Sequence, residues 1–197
     1  MKIDRIFYIN DDKNVARRSE IENELNSYDI VSCESTNTHN KMIYERFSAI
    51  RLGSTIETRQ GKSHIAVLKI AKSRGYSNII ILEDDFKFVV SKEEFYKKME
   101  NLTGVYLDVF LLAYNLISYT HSTLHPDLLR VMQARNTTGY IITVRYYDVL
   151  IECFEKAIAN LERTDEQHLY RIDIAWNKLQ ATDPWYCFTT PIGEKIV

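Results

Sequence analysis

The sequence predicts an α/β fold in which a mostly parallel central sheet is flanked by helices. Three observations carry the α/β reading. Short β-branched and aromatic runs alternate with amphipathic helical stretches along the chain. The run from Asn78 to Leu82 is almost continuously β-branched and apolar, as in a strand covered on both faces. Polar and acidic clusters follow directly on such runs, where a sheet of this kind opens onto its ligand.

Taken in order, Ile6–Ile9 is the first strand and ends in Asn10-Asp11-Asp12. Val15–Asn26 reads as a helix, with Ile21 and Leu25 four apart on one face. Tyr28–Cys33 is a second strand, and His39–Leu52 is expected to be helical. Ser63–Ser73 is a clearer helix: Ile65, Leu68 and Ala71 recur at helical spacing, Ser63 is a candidate N-cap and Gly75 a stop. The 78–82 strand stops at Glu83-Asp84-Asp85. Ser91-Lys92-Glu93-Glu94 is a capping-box pattern opening a helix to about Asn101. Val105–Ala113 and Tyr140–Val144 are further strands, Tyr146–Leu161 a helix, and Arg171–Leu179 a helix or helical turn. No repeat, low-complexity tract or linker interrupts the pattern, so residues 1–197 are expected to form one domain.

The 25 Lys and Arg nearly balance 27 Asp and Glu, for a net charge of −2. That excludes a nucleic-acid binder relying on overall positive charge, since such binding rests on neutralising phosphates, but leaves room for a local anion site. Three widely spaced cysteines form no CxxC pair and no disulfide framework, which fits a reducing compartment. The opening residues lack the long apolar core and cleavage site of a signal peptide, and no apolar stretch is long enough to span a bilayer. A cytoplasmic protein without an integral membrane segment is expected.

Glu83-Asp84-Asp85 crowns the most hydrophobic strand. If the extended geometry continues, Glu83 and Asp85 converge and Asp84 faces the other way. Adjacent carboxylates repel, and protonation, solvent or a bound cation must relieve them. A hard divalent ion, Mg²⁺ or Mn²⁺, meets that need and could hold a diphosphate; a hydrated acidic turn is the alternative. Asn10-Asp11-Asp12 offers a second acidic edge. Arg17 and Arg18, at a helix start, suit phosphate oxygens or, equally, charge pairs within a solvated first turn.

Together these residues resemble glycosyltransferase family 25, which includes lipopolysaccharide and collagen galactosyltransferases. Tyr8-Ile9-Asn10-Asp11-Asp12 through Arg17-Arg18 resembles the family's opening INLDRxxDRR block. Gly61-Lys62-Ser63-His64 is similar to its SH helix, Ile80-Ile81-Leu82-Glu83-Asp84-Asp85-Phe86-Lys87-Phe88 to ILEDDxxF, Thr137 to Thr143 to TxGYxIS, and Tyr170 to Trp176 to the late xxDxxW element. Five blocks in the family's order cover most of the chain. Asp11 stands where Leu is usual, Ala16 where an acid is usual, and Gln60 where Cys is common.

The resemblance implies a GT-A-type domain that moves a hexose, galactose or glucose, from a UDP-sugar to a glycan or glycoprotein acceptor with inversion. Carried over by position, Asp85 is the metal ligand and Glu83 a contact to nucleotide or metal. Asp84 orients the site or the donor sugar; Asn10, Asp12 and Arg17 line the nucleotide pocket. Asp173, flanked by Ile172 and Ile174, is the candidate general base, or else a helix N-cap. His64 either touches substrate or is a hydrogen-bonded structural histidine, and Trp176 either stacks on a sugar or belongs to the core. Gly139 is expected to admit close approach at a strand start, or simply to serve a turn. Two rival functions are a silent module that keeps the fold and binds nucleotide, sugar or protein, and a Mg²⁺-dependent phosphotransfer domain. Asn10-Asp11-Asp12 lacks the Asp-x-Asp spacing the second would want.

Overall fold

The apolar runs become the centre of one sheet. The computed structural model describes residues 1–123 and 125–196. In chain order the elements are β1 (Arg5–Asn10), α1 (Val15–Ser27), β2 (Val31–Ser32), β3 (Ile43–Ser48), α2 (Ile56–Ser73), β4 (Asn78–Glu83), β5 (Phe86–Phe88) and α3 (Lys92–Asn101). They continue with β6 (Val109–His121), β7 (Leu128–Thr143), α4 (Tyr147–Thr164), α5 (Gln167–Tyr170), α6 (Ile172–Ala175), α7 (Asn177–Gln180), β8 (Trp185–Phe188) and β9 (Gly193–Lys195). Among the described residues the main sheet has the order β2-β3-β1-β4-β7-β6-β8, and β5 pairs with β9 in a separate ribbon. β7 runs against the other six strands, which share one direction.

Strand alternation explains the two cores. In β1, Phe7 and Ile9 face one layer while Ile6 and Tyr8 face the other; in β4, Ile79 and Ile81 oppose Ile80 and Leu82. The first layer includes buried residues of α2 and α4 together with Trp176 and Trp185, and the second includes those of α1 and α3. Both faces of the central strands are therefore covered, as their apolar runs require. Trp176 lies in the first core, fully buried, and its indole donates to Ala134 O at 3.1 Å.

The expected helix over His39–Leu52 is instead β3, in parallel register with β1 from Ile6↔Tyr44 to Asn10↔Ser48. The polar spacers allow either period, and pairing with β1 decides for the strand. The second strand shrinks to Val31–Ser32, because Tyr28 caps α1 and Asp29 turns the chain with φ +57°. α2 begins seven residues before Ser63, capped by Thr55, which accepts from Thr58 N at 3.1 Å. Ser63 is therefore mid-helix: its hydroxyl donates to Arg59 O (2.8 Å) and accepts from Ile50 N (2.9 Å), pinning the β3–α2 connection. Ser91 does cap α3, accepting from Glu94 N at 3.2 Å. β6 and β7 extend well beyond the expected strands as a long hairpin, and Arg171–Leu179 breaks into the short turns α6 and α7.

Candidate functional site

Parallel pairing sets Ile9 opposite Glu83, and the reversed β7 brings Gly139 opposite Leu82. The ends of β1 and β4 and the 137–139 segment of β7 thus share one edge. β4 ends at Glu83, and residues 84–85 form a turn into β5, so the extended alternation expected for the acids stops there. Phe86 anchors this turn. Its buried ring lies where a Cβ on Gly139 would sit 2.7 Å away and a Cβ on Gly193 only 2.2 Å away, so these two positions must be glycine for the ring to seat.

The three acids meet three different fates. Glu83 follows Ile81 onto the α2 face, where Oε1 accepts from Gln60 Nε2 (2.7 Å) and Thr137 Oγ1 (2.6 Å), with His64 Nε2 at 3.4 Å. Burial pushes the Glu83 carboxyl up, but the His64 contact, the Thr137 hydroxyl and the charge of Lys195 outweigh it and hold it at about 2. Tyr140, whose phenol burial and the Glu83 charge keep well above its ordinary range, lies 3.0 Å from His64 Nδ1. A phenol that keeps its proton donates to Nδ1 and leaves the proton on Nε2, which lies 3.4 Å from Glu83 Oε1 and makes no hydrogen bond among the described residues.

Asp84 Oδ2 accepts from Asn10 Nδ2 at 2.7 Å. Asp85 Oδ2 lies 3.1 Å from Lys195 Nζ, while Oδ1 is buried and finds no hydrogen-bond partner among the described residues. Burial first, and the charge of Glu83 second, push both aspartates above the usual range. Burial draws the Lys195 ammonium down, but the charges of Glu83 and Asp85 more than offset it and its pKa is raised.

Over this turn lies a cleft of about 590 Å³ that the three acids share with Arg51, Arg59, Gln60, Arg171 and Lys195. A second cleft of about 520 Å³ shares Gln60, Glu83, Arg171 and Lys195 with it, and adds Asn115, Asn136 and Asp173. Asp173 is buried in the first turn of α6, its Oδ1 3.2 Å from Arg171 Nε; Arg171 itself holds the N-cap position. His64 is fully buried and braces Glu83.

Asn10, Asp12 and Arg17 line neither cleft. Asn10 is a buried bracket: Nδ2 donates to Asp84 and to Asn14 O (3.1 Å), and Oδ1 accepts from Arg46 Nε (3.1 Å). Asp12 is exposed and paired with Arg46. Arg17 turns back to Glu20 (3.5 Å) and Arg18 to Glu22 (3.0 Å), because α1 offers each an acid one helical turn away.

Residues the sequence reading missed complete the site. Gln60 lies one turn before His64 on the same helix face, and a longer α2 would have revealed it. Arg51, whose Nε lies 3.2 Å from Asp11 Oδ2, stands in the connection pinned by Ser63, and Arg59 in the first turn of α2 that follows it. Lys195 carries no local signal, since it arrives through pairing of β9 with β5.

A hard divalent ion wants several oxygen ligands at once. Here Glu83 Oε1 already meets Gln60, Thr137 and His64, Asp84 is held by Asn10, and Asp85 is held by Lys195. No three His, Cys, Asp or Glu side chains are grouped to hold a metal ion among the described residues. Glu83 and Asp85 do not fit the joint seat for Mg²⁺ or Mn²⁺ that the sequence suggests.

No family model matches the chain, and no curated protein matches it. Among solved structures, UDP-glucose pyrophosphorylase complexed with UDP-glucose aligns with TM-score 0.52 and 7% identity, over 96% of this chain and 91% of that one. Mannose-1-phosphate geranyltransferase from Thermus thermophilus aligns with TM-score 0.51 and 7% identity, over 95% of this chain and 74% of that one. A glycosyltransferase involved in the glycosylation of the major capsid of PBCV-1 aligns with TM-score 0.49 and 10% identity, over 93% and 92%. At 7% identity the first two likenesses speak for the fold, not the chemistry. The fold is that of the GT-A-like nucleotide-diphospho-sugar transferases: a mixed α/β sheet, flanked by helices, with one reversed strand beside the acid-bearing one. No helix among the described residues is long and apolar enough to cross a membrane.

Proposed function

We propose that residues 1–197 form one glycosyltransferase domain, of the kind found in family 25, that moves a hexose such as galactose or glucose from a UDP-sugar to a hydroxyl of a glycan or glycoprotein. The observation that carries this reading is the pair of clefts meeting at Glu83, Arg171 and Lys195, on the edge of the sheet where α/β folds take ligands. The ordered motif blocks and the fold support it. Three free thiols, at Cys33, Cys153 and Cys187, agree with work in the cytoplasm.

In this reading the nucleoside diphosphate lies in the first cleft against Arg51 and Arg59, whose guanidinium groups suit phosphate oxygens. Asp84, fixed by Asn10, presents its remaining acceptor capacity to the donor sugar. The acceptor enters the second cleft, where Asp173 takes the proton of the attacking hydroxyl. The hydroxyl oxygen forms the new bond to the anomeric carbon as the bond to the diphosphate breaks, and the electron pair leaves on the diphosphate. Arg171 touches both clefts and holds Asp173 oriented.

A screen of UDP-sugars, following UDP release and thermal shift together, tests the proposal with and without Mn²⁺. At least one UDP-hexose should raise the melting temperature and release UDP. A shift without release would assign a silent binding module, and neither response with any donor would refute the reading.

A further inference from the structure

Lys195 sits where the acid turn would otherwise face the donor with unbalanced negative charge. Its position is set by backbone rather than by a loose tail. Phe86 pairs with Lys195 and Phe88 with Gly193 across β5 and β9, and Ile196 N donates to Asp85 O at 2.8 Å. Gly193 packs beneath the Phe86 ring, and Val89 N donates to Ile192 O at 2.9 Å. These contacts tie the Lys195 backbone to the same turn that carries Asp85. The side chain then reaches Asp85 Oδ2 at 3.1 Å while remaining half-exposed on both clefts.

An ammonium group has three N–H donors, and Asp85 engages one. Two remain for oxygens of a ligand lying over the turn. Glu83 is occupied by its own donors and Asp84 by Asn10, so the positive charge at Asp85 is supplied by the chain itself. We propose that Lys195 takes the place of the divalent cation at the acid turn and binds the diphosphate of the donor directly. This rests on the nucleotide-sugar reading above and deepens it. As the anomeric bond breaks, the electron pair stays on the diphosphate, and the Lys195 ammonium offsets the added charge without giving up a proton. A metal ion and Lys195 then compete for Asp85.

Two measurements separate the parts. Calorimetry with UDP compares the wild type with Lys195→Met and Lys195→Gln, in EDTA and in Mn²⁺, with far-UV circular dichroism confirming that each variant is folded. The wild type should bind UDP in EDTA with an affinity within about twofold of that in Mn²⁺, and both variants should bind on the order of tenfold more weakly in EDTA, with Mn²⁺ restoring part of the loss. Wild-type binding that requires Mn²⁺, or variants that bind UDP normally in EDTA, would overturn the inference.

The second measurement uses no nucleotide. Titration of Mn²⁺ followed by electron paramagnetic resonance should show at least about tenfold tighter binding to Lys195→Met than to the wild type, because the competing charge at Asp85 is gone. Equal Mn²⁺ affinities overturn the competition on their own. Failure of every protein to bind UDP, with the Mn²⁺ difference present, defeats the nucleotide reading and removes Lys195 as a diphosphate ligand, while leaving its competition for Asp85 established.

Discussion

Glu83→Gln offers the sharpest physical test of the site, because the cost of the substitution depends on pH. Glu83 is held at about 2 against an ordinary 4.5, a difference of 2.5. At about 1.36 kcal/mol for each tenfold step, holding the carboxylate ionised contributes roughly 3 kcal/mol at pH 7. A carboxylate depressed in the folded state gives its full contribution above the unfolded pKa and loses it as pH falls through the folded one, so the window lies between 4.5 and about 2. At pH 3 the folded group is still mostly ionised and the unfolded one mostly protonated, which leaves roughly 1 kcal/mol. The stability difference between the wild type and Glu83→Gln should therefore shrink by roughly 2 kcal/mol from pH 7 to pH 3. Asp84 and Asp85 are pushed the other way and favour folding as pH falls, and their relaxation in the variant acts against this change. Urea unfolding of both proteins at several pH values, followed by the fluorescence of the fully buried Trp176 and Trp185, measures the difference. A gap that stays constant from pH 7 to pH 3 would refute the argument that His64, Thr137 and Lys195 hold Glu83 ionised.

Asp173→Asn should lower transfer by about a hundredfold or more while leaving UDP affinity, read by calorimetry, unchanged; normal turnover would dismiss Asp173 as the base. Gly193→Ala should destabilise by about 1–3 kcal/mol in a urea melt, since the new Cβ meets the buried Phe86 ring at 2.2 Å, and a wild-type midpoint would show that the ring is not wedged there. Arg59→Ala should weaken UDP binding about tenfold and Arg17→Ala should leave it nearly unchanged, because Arg59 lines the first cleft and Arg17 is turned to Glu20; the reverse order in calorimetry would move the nucleotide to α1.

Legibility in the sequence followed the range of the forces involved. The β4 run, the Ser91 cap and the helix from about Tyr146 to Leu161 rest on neighbours within a few residues, and each was readable. His39–Leu52 was misread because its apolar residues serve either period, and only the parallel partner β1 settles which hydrogen bonds form. The site divided in the same way. Glu83, Asp84 and Asp85 were visible as acids ending a strand, and Asp173 as an acid beside apolar residues. For Arg17 the sequence left phosphate or a charge pair open, and the structure sets its guanidinium 3.5 Å from Glu20.

Local composition by itself determined that this chain builds a two-faced α/β sheet and that acids stand at the end of its most apolar strand, because strand burial and the polarity of strand ends are encoded residue by residue. Tertiary structure alone decided what each acid does. Glu83 is paired from α2 and β7, Asp84 from β1, and Asp85 from β9 more than a hundred residues along the chain. A carboxylate's charge state and free lone pairs depend on groups within a few ångströms in space, and their distance along the chain carries no signal of that proximity.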